Sequence, residues 1–448
     1  MKLVFLFKLV RLLVTARLLS LVVVAGLAAD READAREIKN GASGKGEAYM
    51  TLLYGDYLLS VRVLGFSLRL SGTQREMIVL CTEEISLESR KILEHDGWTV
   101  KSIKTLSSPY KNYYKRFDKV FTKLLIWTLI EYRRIVYLDS DTLVYANIDE
   151  LFHCGKFCAA YRHSDLFNSG VLVVKPDLQE YRELISKIGI YPSYDGADEG
   201  FLNYYYHSLL FAPMFNASNP HNQEEPMRLP AGYNADVGQY YAHTHRFFPL
   251  SDFKILHHTL GPVKPWKWWA YPIFDLNWHW VQLRDNLQPS TDSPIGVFLA
   301  AAVNTLPIMI LFGLRHFKVT KSTRFAILKH QGSLFHSILT MMFPLSCLLG
   351  FCVVPGSMHP HYAIPTFCLW TIFFLCLFCL LIHLVSTSQE DNFPSSKSMS
   401  LIGILLFIPL VVPLYIPSFL TRVCVFLILI MLCFVCSHFI LRMSLAQI

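Results

Sequence analysis

The 448-residue chain has no glycine-rich phosphate cradle: no G-x-G-x-x-G follows its first β-like apolar run, and no G-x-x-x-x-G-K-[ST] occurs anywhere. A dinucleotide-binding fold and a P-loop are therefore unsupported. A diphosphate bound here needs its charge neutralised by other groups. Cysteine is scarce outside the C-terminal third, where eight of the eleven lie in apolar sequence and act as small hydrophobes. Charge is scarcer still in the long apolar stretches of that third, with His383 and His438 near their ends as exceptions, which argues against a transporter with a polar path. The formal net charge of +7 belongs largely to loops and termini and gives no reason to invoke nucleic acid.

What the chain has in excess is apolar residues. Hydrophobic types make up 53% and mean hydropathy is +0.35, more than a soluble globule needs, and most of the surplus follows Asp292. Five stretches, at residues 295–314, 335–354, 363–385, 401–420 and 423–441, each approach the roughly 20 residues that span a bilayer as a helix. An all-α, multi-span membrane region of about five helices is expected over 295–448. The connection after the first stretch carries Arg315, Lys318, Lys321, Arg324 and Lys329, whereas "PGSMHPHY" after the second has no Lys or Arg. The positive-inside rule puts the basic loop in the cytosol and everything before residue 290 in the lumen. The sequon Asn216-Ala217-Ser218 agrees, being usable only on a translocated chain. Lys2, Lys8, Arg11 and Arg17 precede "LLSLVVVAGLAA", so residues 1–29 read as a signal peptide or a retained anchor. In an oxidising lumen Cys154 and Cys158 can pair across a short loop; the alternative, a metal site, lacks a second Cys/His pair at suitable spacing.

Residues 45–290 alternate between strand and helix. "AYMTLLYG", "REMIVLCT" and "WTVKSIKTL" have strand character, "YLLSVRVLGFSLRLSG", "ISLESRKILEHDG" and "FTKLLIWTLIEY" helical character. That repetition predicts an α/β domain with a mostly parallel, doubly wound sheet. "IVYLDSDTLVYANIDELF" starts as a buried strand and runs into Asp139-Ser140-Asp141. If the chain stays extended the two acids share a side, and like charges held together call for compensation, most simply a divalent cation. An isolated D-x-D is more often a solvated turn. Further clusters decide against that: Asn168-Ser169-Gly170 before an apolar strand, Asp195, Asp198 and Glu199 between glycines, and His258, Gly261 and Lys264 beside a tryptophan group. Trp266, Trp268, Trp269, Trp278 and Trp280 are expected to lie at the membrane interface.

These clusters, with "YMTLLYGDYLLSVRVLGFSL", "TKLLIWTLIEYRRIVYLDSDTLVYANIDELF", "FNSGVLVVKP", "DGADEGFLN", "LPAGYNADVG" and "HTLGPVKPWKWW", resemble glycosyltransferase family 8, the glycogenin-like retaining transferases of GT-A, Rossmann-like fold. Within it they are similar to the plant glycogenin-like branch best understood as inositol phosphorylceramide glucuronosyltransferase. The resemblance implies a UDP-sugar donor with glucuronate as the sugar, a sphingolipid acceptor in a Golgi or other secretory-pathway membrane, and Mn²⁺ or another divalent cation on Asp139, Asp141 and His258. It implies that Thr51, Tyr54, Tyr57, Asn168, Ser169, Gly261 and Lys264 bind substrate, Lys264 at the diphosphate. It implies catalytic roles for Asp198, Asp195, Glu199 and Lys123, with Asp198 the stronger candidate. Glu199 departs from the family's Gln, exchanging an amide for a group that only accepts hydrogen bonds when ionised. Transfer to a polysaccharide primer or to the chain's own Tyr240 or Tyr241, or an inactive scaffold, are the alternatives.

Overall fold

A computed structural model describes residues 46–110, 118–161, 165–218, 224–243, 252–287, 333–385, 396–416 and 418–446. The first β-like run becomes β1 (Glu47–Leu53), every residue of which is buried, as befits a strand covered on both faces. It pairs in parallel with β2 (Glu76–Cys81) and with β4 (Arg134–Leu138), and β2 pairs in parallel with β3 (Thr99–Ser102). Beyond β4 the sheet becomes mixed. β7 (Phe167–Val174) is antiparallel to β4 and to β6 (Phe157–Tyr161), while β8 (Met227–Leu229) is parallel to β6. The strand order is β3-β2-β1-β4-β7-β6-β8, a mostly parallel α/β sheet.

Period-two alternation sorts the sheet's side chains into two cores. Tyr49 and Leu53 pack with Val61, Leu64 and Leu68 of α1 (Leu58–Leu70) and Leu93 of α2 (Leu87–His95). Ala48, Met50 and Leu52 pack on the other face with Phe121, Leu124 and Trp127, with Leu184 of α3 (Leu178–Lys187) and with Phe201 of α4 (Asp198–Tyr205). The α2 start is set by Ser86, whose Oγ accepts from the Ser89 amide at 3.1 Å. The helix expected at 121–132 is instead a 3₁₀ coil, Val120–Thr128, tied sideways where the Leu106 amide donates to Thr122 Oγ1 at 3.0 Å. Asn168-Ser169-Gly170 lie inside β7 rather than ahead of it.

A second, three-stranded sheet stands at the carboxyl end of β4. It consists of β5 (Thr142–Val144), β9 (Ala235–Asp236) and β10 (Ile255–His257), and it is backed by α5 (Val237–His243) and α6 (Leu276–Asp285). Cys154 and Cys158 are joined by a disulfide, S–S 2.14 Å, beside β6.

Among the described residues four apolar helices follow: α7 (Ser333–Val353), α8 (Pro360–Val385), α9 (Ser396–Val411) and α10 (Phe419–Ala446). Among the described residues, Pro360–Leu381 and Phe419–Leu441 are long and apolar enough to cross a bilayer, and Thr340–Val353 and Leu401–Tyr415 are shorter apolar helices. The expected span at 295–314, its basic loop and the N-terminal segment 1–29 lie outside the described residues. Two of the tryptophans ahead of the apolar helices are buried in protein. Trp280 is fully buried against Trp266, and Trp268, 2% exposed, belongs to the apolar cluster of α7 and α8.

Candidate functional site

The site forms where β4 ends against the small sheet. The chain does not stay extended through Asp139-Ser140-Asp141; it turns, the Thr142 amide donating to the Asp139 carbonyl at 3.0 Å, before resuming as β5. The turn still aims both carboxylates into one space. There they meet an imidazole, and one ligand atom from each of Asp139, Asp141 and His257 lies within 4.8 Å of the others.

That imidazole is His257, not the expected His258. Both are buried, but strand alternation sends them to opposite sides. His257 Nε2 stands 3.1 Å from Asp141 Oδ1. His258 follows Leu256 toward α6, where its ring interacts with Asn277, and its backbone amide donates to the Asp141 carbonyl at 3.0 Å. Burial pushes the His258 ring down to about 3, so it is neutral, and its Nε2 has no hydrogen-bond partner among the described residues. His257 is oriented from behind: its Nδ1 is 2.9 Å from Asn234 Oδ1, while Asn234 Nδ2 donates to Asn168 Oδ1 at 2.8 Å. The Asn234 side chain thus fixes the ring so that its Nε2 faces Asp141. Gly170 makes room for this. A Cβ there would lie 2.1 Å from His257 Cε1.

Two lysines complete the cage. Lys264 Nζ donates to Asp141 Oδ2 and to the His258 carbonyl. Burial alone would raise the Asp141 pKa, but the Lys264 ammonium and His257 more than offset it and hold the carboxyl well below the usual range. Lys123, 3% exposed, lies 2.7 Å from Asp198 Oδ2 and 3.3 Å from Asp139 Oδ1, and it donates to the Ser169 carbonyl at 3.2 Å. Burial would lower the Lys123 pKa, yet Asp139 and Asp198 carry it above its ordinary value. Asp198 Oδ2 also accepts from Ser169 Oγ at 2.7 Å; burial pushes its carboxyl up to about 6 against the pull of Lys123. Asn168 Nδ2 donates to Glu199 Oε2 at 2.5 Å, and Tyr194 donates to Glu199 Oε1 at 2.7 Å.

The other sequence candidates are placed less uniformly. Tyr54 packs edge-on against Tyr57 at 5.6 Å, and Tyr57 against Trp266 at 5.7 Å; burial, then the Tyr57 phenol, raises the Tyr54 pKa far above the ordinary value. Thr51 is buried in β1, its Oγ1 without a partner among the described residues. Gly261 opens a 3₁₀ turn, Gly261–Val263, ahead of Lys264. Asp195 is not turned to the cage: its Oδ1 accepts from Ser193 Oγ and from the Ala197 and Gly200 amides, so it shapes the loop into α4. Asn216 is exposed. His257, Asn234 and Tyr137, which donates to Asp139 Oδ1 at 2.9 Å, were not anticipated. Only the doubled histidine and the "YNADVG" run signalled the first two.

The donor set suits a hard divalent cation: two carboxylates and one imidazole converge, and the acids' charge is balanced here by lysine ammonium groups. The set lies at the carboxyl end of β4, where α/β sheets bind their ligands. Residues 52–270 match the family model described as Glycosyl transferase family 8, and the chain belongs to that family. It is 40% identical over 253 residues to inositol phosphorylceramide glucuronosyltransferase 1 of Arabidopsis thaliana, covering 54% of this chain and 47% of that protein. It is 32% identical over 234 residues to glycogenin-1 of Mus musculus, covering 50% of this chain and 67% of that protein. The chain thus spans just under half the length of the first of these relatives.

Proposed function

We propose that this family 8 glycosyltransferase moves a sugar, with retention of configuration, from a UDP-sugar to a membrane sphingolipid of the inositol phosphorylceramide type. The observation that carries the reading is the cage itself: Asp139, Asp141 and His257 converge on one point between Lys264 and the Lys123–Asp198 pair. The similarity to a glucuronosyltransferase of that lipid supports the donor and acceptor classes, and the apolar helices support a membrane-bound acceptor. In this reading residues 45–290 are the lumenal catalytic unit, 295–448 the multi-span membrane region of a Golgi-type protein, and Asn216 an N-glycan acceptor.

Asp139, Asp141 and His257 would hold a divalent cation such as Mn²⁺, which supplies charge neutralisation for the donor's diphosphate. Lys264 adds a second positive charge as the diphosphate leaves. The bond from the anomeric carbon to the UDP oxygen breaks, the acceptor oxygen bonds to the same carbon on the same face, and the acceptor proton passes to the departing diphosphate oxygen. Asp198, held by Lys123 and Ser169, faces the positive charge that develops on the sugar. Self-transfer to Tyr240 or Tyr241 is disfavoured, because Tyr240 is 6% exposed and the Tyr241 hydroxyl is engaged by Asp275 and the Leu276 amide.

The direct test is purified full-length protein with manganese, inositol phosphorylceramide vesicles and a panel of UDP-sugars. Transfer of none of the panel to that lipid would refute the proposal. Glu199 enters the same assay: removing its charge with Glu199→Gln should raise the preference for UDP-glucuronate over UDP-glucose about tenfold, the effect of relieving about 1.4 kcal/mol of repulsion. An unchanged preference would show that Glu199 does not read the sugar. Metal binding separates the two histidines. His257→Ala should weaken manganese binding by about 10–100-fold and His258→Ala by less than about threefold, measured by calorimetry, and the reverse order would assign the ligand to His258.

A further inference from the structure

The segment that carries Lys264 is gripped from two directions. On one side Asn277 of α6 donates to the Val263 carbonyl at 3.3 Å. On the other, the Trp268 amide donates to the Gly356 carbonyl at 3.2 Å in the turn joining α7 and α8, and the Trp268 ring lies 5.6 Å from Phe351 and 5.4 Å from Phe367. The α6 side is itself fastened to the helices. Arg422, 1% exposed in the first turn of α10, bonds through Nη1 to Asp275 Oδ1 at 3.1 Å and to the Ile273 carbonyl at 2.6 Å, and through Nη2 to the Ile416 carbonyl at 2.8 Å. A guanidinium withdrawn from water on an apolar helix is costly unless its donors are matched. Here Asp275 and Ile273 of the α/β half do the matching, two residues from Asn277.

Resting on the reading of Lys264 as the diphosphate contact, we infer that the apolar helices are a working part of the nucleotide-sugar site. Docking through Arg422–Asp275 and through Trp268 fixes where Lys264 stands relative to Asp141, and Arg422 is a positioning residue for donor binding. The path is short: Arg422 holds Asp275, Asn277 holds Val263, and the next residue is Lys264. Small displacements of a charge that must meet a diphosphate cost affinity steeply.

The test is UDP binding in the presence of manganese, by calorimetry, on the full chain in lipid nanodiscs. Arg422→Met removes the guanidinium while keeping apolar bulk. Gly356→Leu wedges the docking surface from the helix side, since even a Cβ there would lie 3.1 Å from the Trp269 ring and 3.0 Å from Lys267 Nζ. Each is expected to weaken UDP affinity about tenfold in monodisperse, folded protein, with Arg422→Lys recovering part of the loss. A purely structural role would lower the melting temperature and leave the affinity of the folded molecules intact. Affinity within about twofold of the parent in either folded variant overturns the inference; if Arg422→Met does not fold, Gly356→Leu decides. A parent chain that binds no UDP refutes instead the reading of the site on which the inference rests.

Discussion

Asp141→Ala and Asp141→Asn are both expected to lower kcat/KM for sugar transfer by about a thousandfold or more, equivalent to about 4 kcal/mol of transition-state stabilisation. The carboxylate is the hub of the cage: His257 Nε2 approaches one oxygen and Lys264 Nζ the other, and its charge is held well below the ordinary carboxylate range by those neighbours. Alanine removes the charge and the shape. Asparagine keeps the size and one acceptor while removing the charge, so it isolates electrostatics from geometry. Manganese binding should be lost with both, and the fold should survive, because the side chain stands at the rim of the sheet rather than in either apolar core. An Asp141→Asn enzyme that retained a tenth of the parent's activity would show that this carboxylate's charge is not what the reaction needs.

Much of this site is legible in the sequence. The apolar run ending in Asp139 and Asp141 marked a strand emerging at a ligand-binding edge, and β1, β2, β3 and β4 lie close to where the sequence placed them. Such strands declare themselves through local composition. What escaped was phase and distance. The choice between His257 and His258 turns on the register of β10, where a one-residue slip exchanges the two faces, and no local pattern in a three-residue strand sets that register. Asn234, which orients His257, is 23 residues away in sequence and meets it only because β9 and β10 pair. The family resemblance implies a catalytic role for Asp195 beside Asp198, whereas backbone amides of its own loop claim its Oδ1. Arg422 was placed between two apolar stretches because the stretches were bounded by hydropathy. The helix begins at Phe419, so this charge lies within a helix and bonds to the α/β half.

Lys123→Met should be the most damaging single substitution in the catalytic half that leaves the three metal-binding candidates in place. Lys123 is almost sealed from water and lies between Asp139 and Asp198, with Ser169 as its third contact. Removing one member of a buried ion pair strands the other, at a typical cost of about 3–5 kcal/mol. The stranded group here is Asp198, whose carboxyl burial already pushes up to about 6 with the lysine present. Without that ammonium its folded-state pKa rises further, so the protonated form is favoured in the folded chain. A group raised in this way stabilises the fold at low pH and ceases to do so as pH rises through the folded pKa. The deficit in melting temperature of Lys123→Met relative to the parent is therefore expected to be smaller at pH 5 than at pH 8. Transfer at neutral pH should fall by about a hundredfold to ten-thousandfold, because a neutral Asp198 cannot steady positive charge on the sugar. Thermal melts at the two pH values, run beside donor hydrolysis, separate the causes. A deficit equal at both would mean that lost packing of the lysine stem, and not the uncovered charge of Asp198, carries the damage.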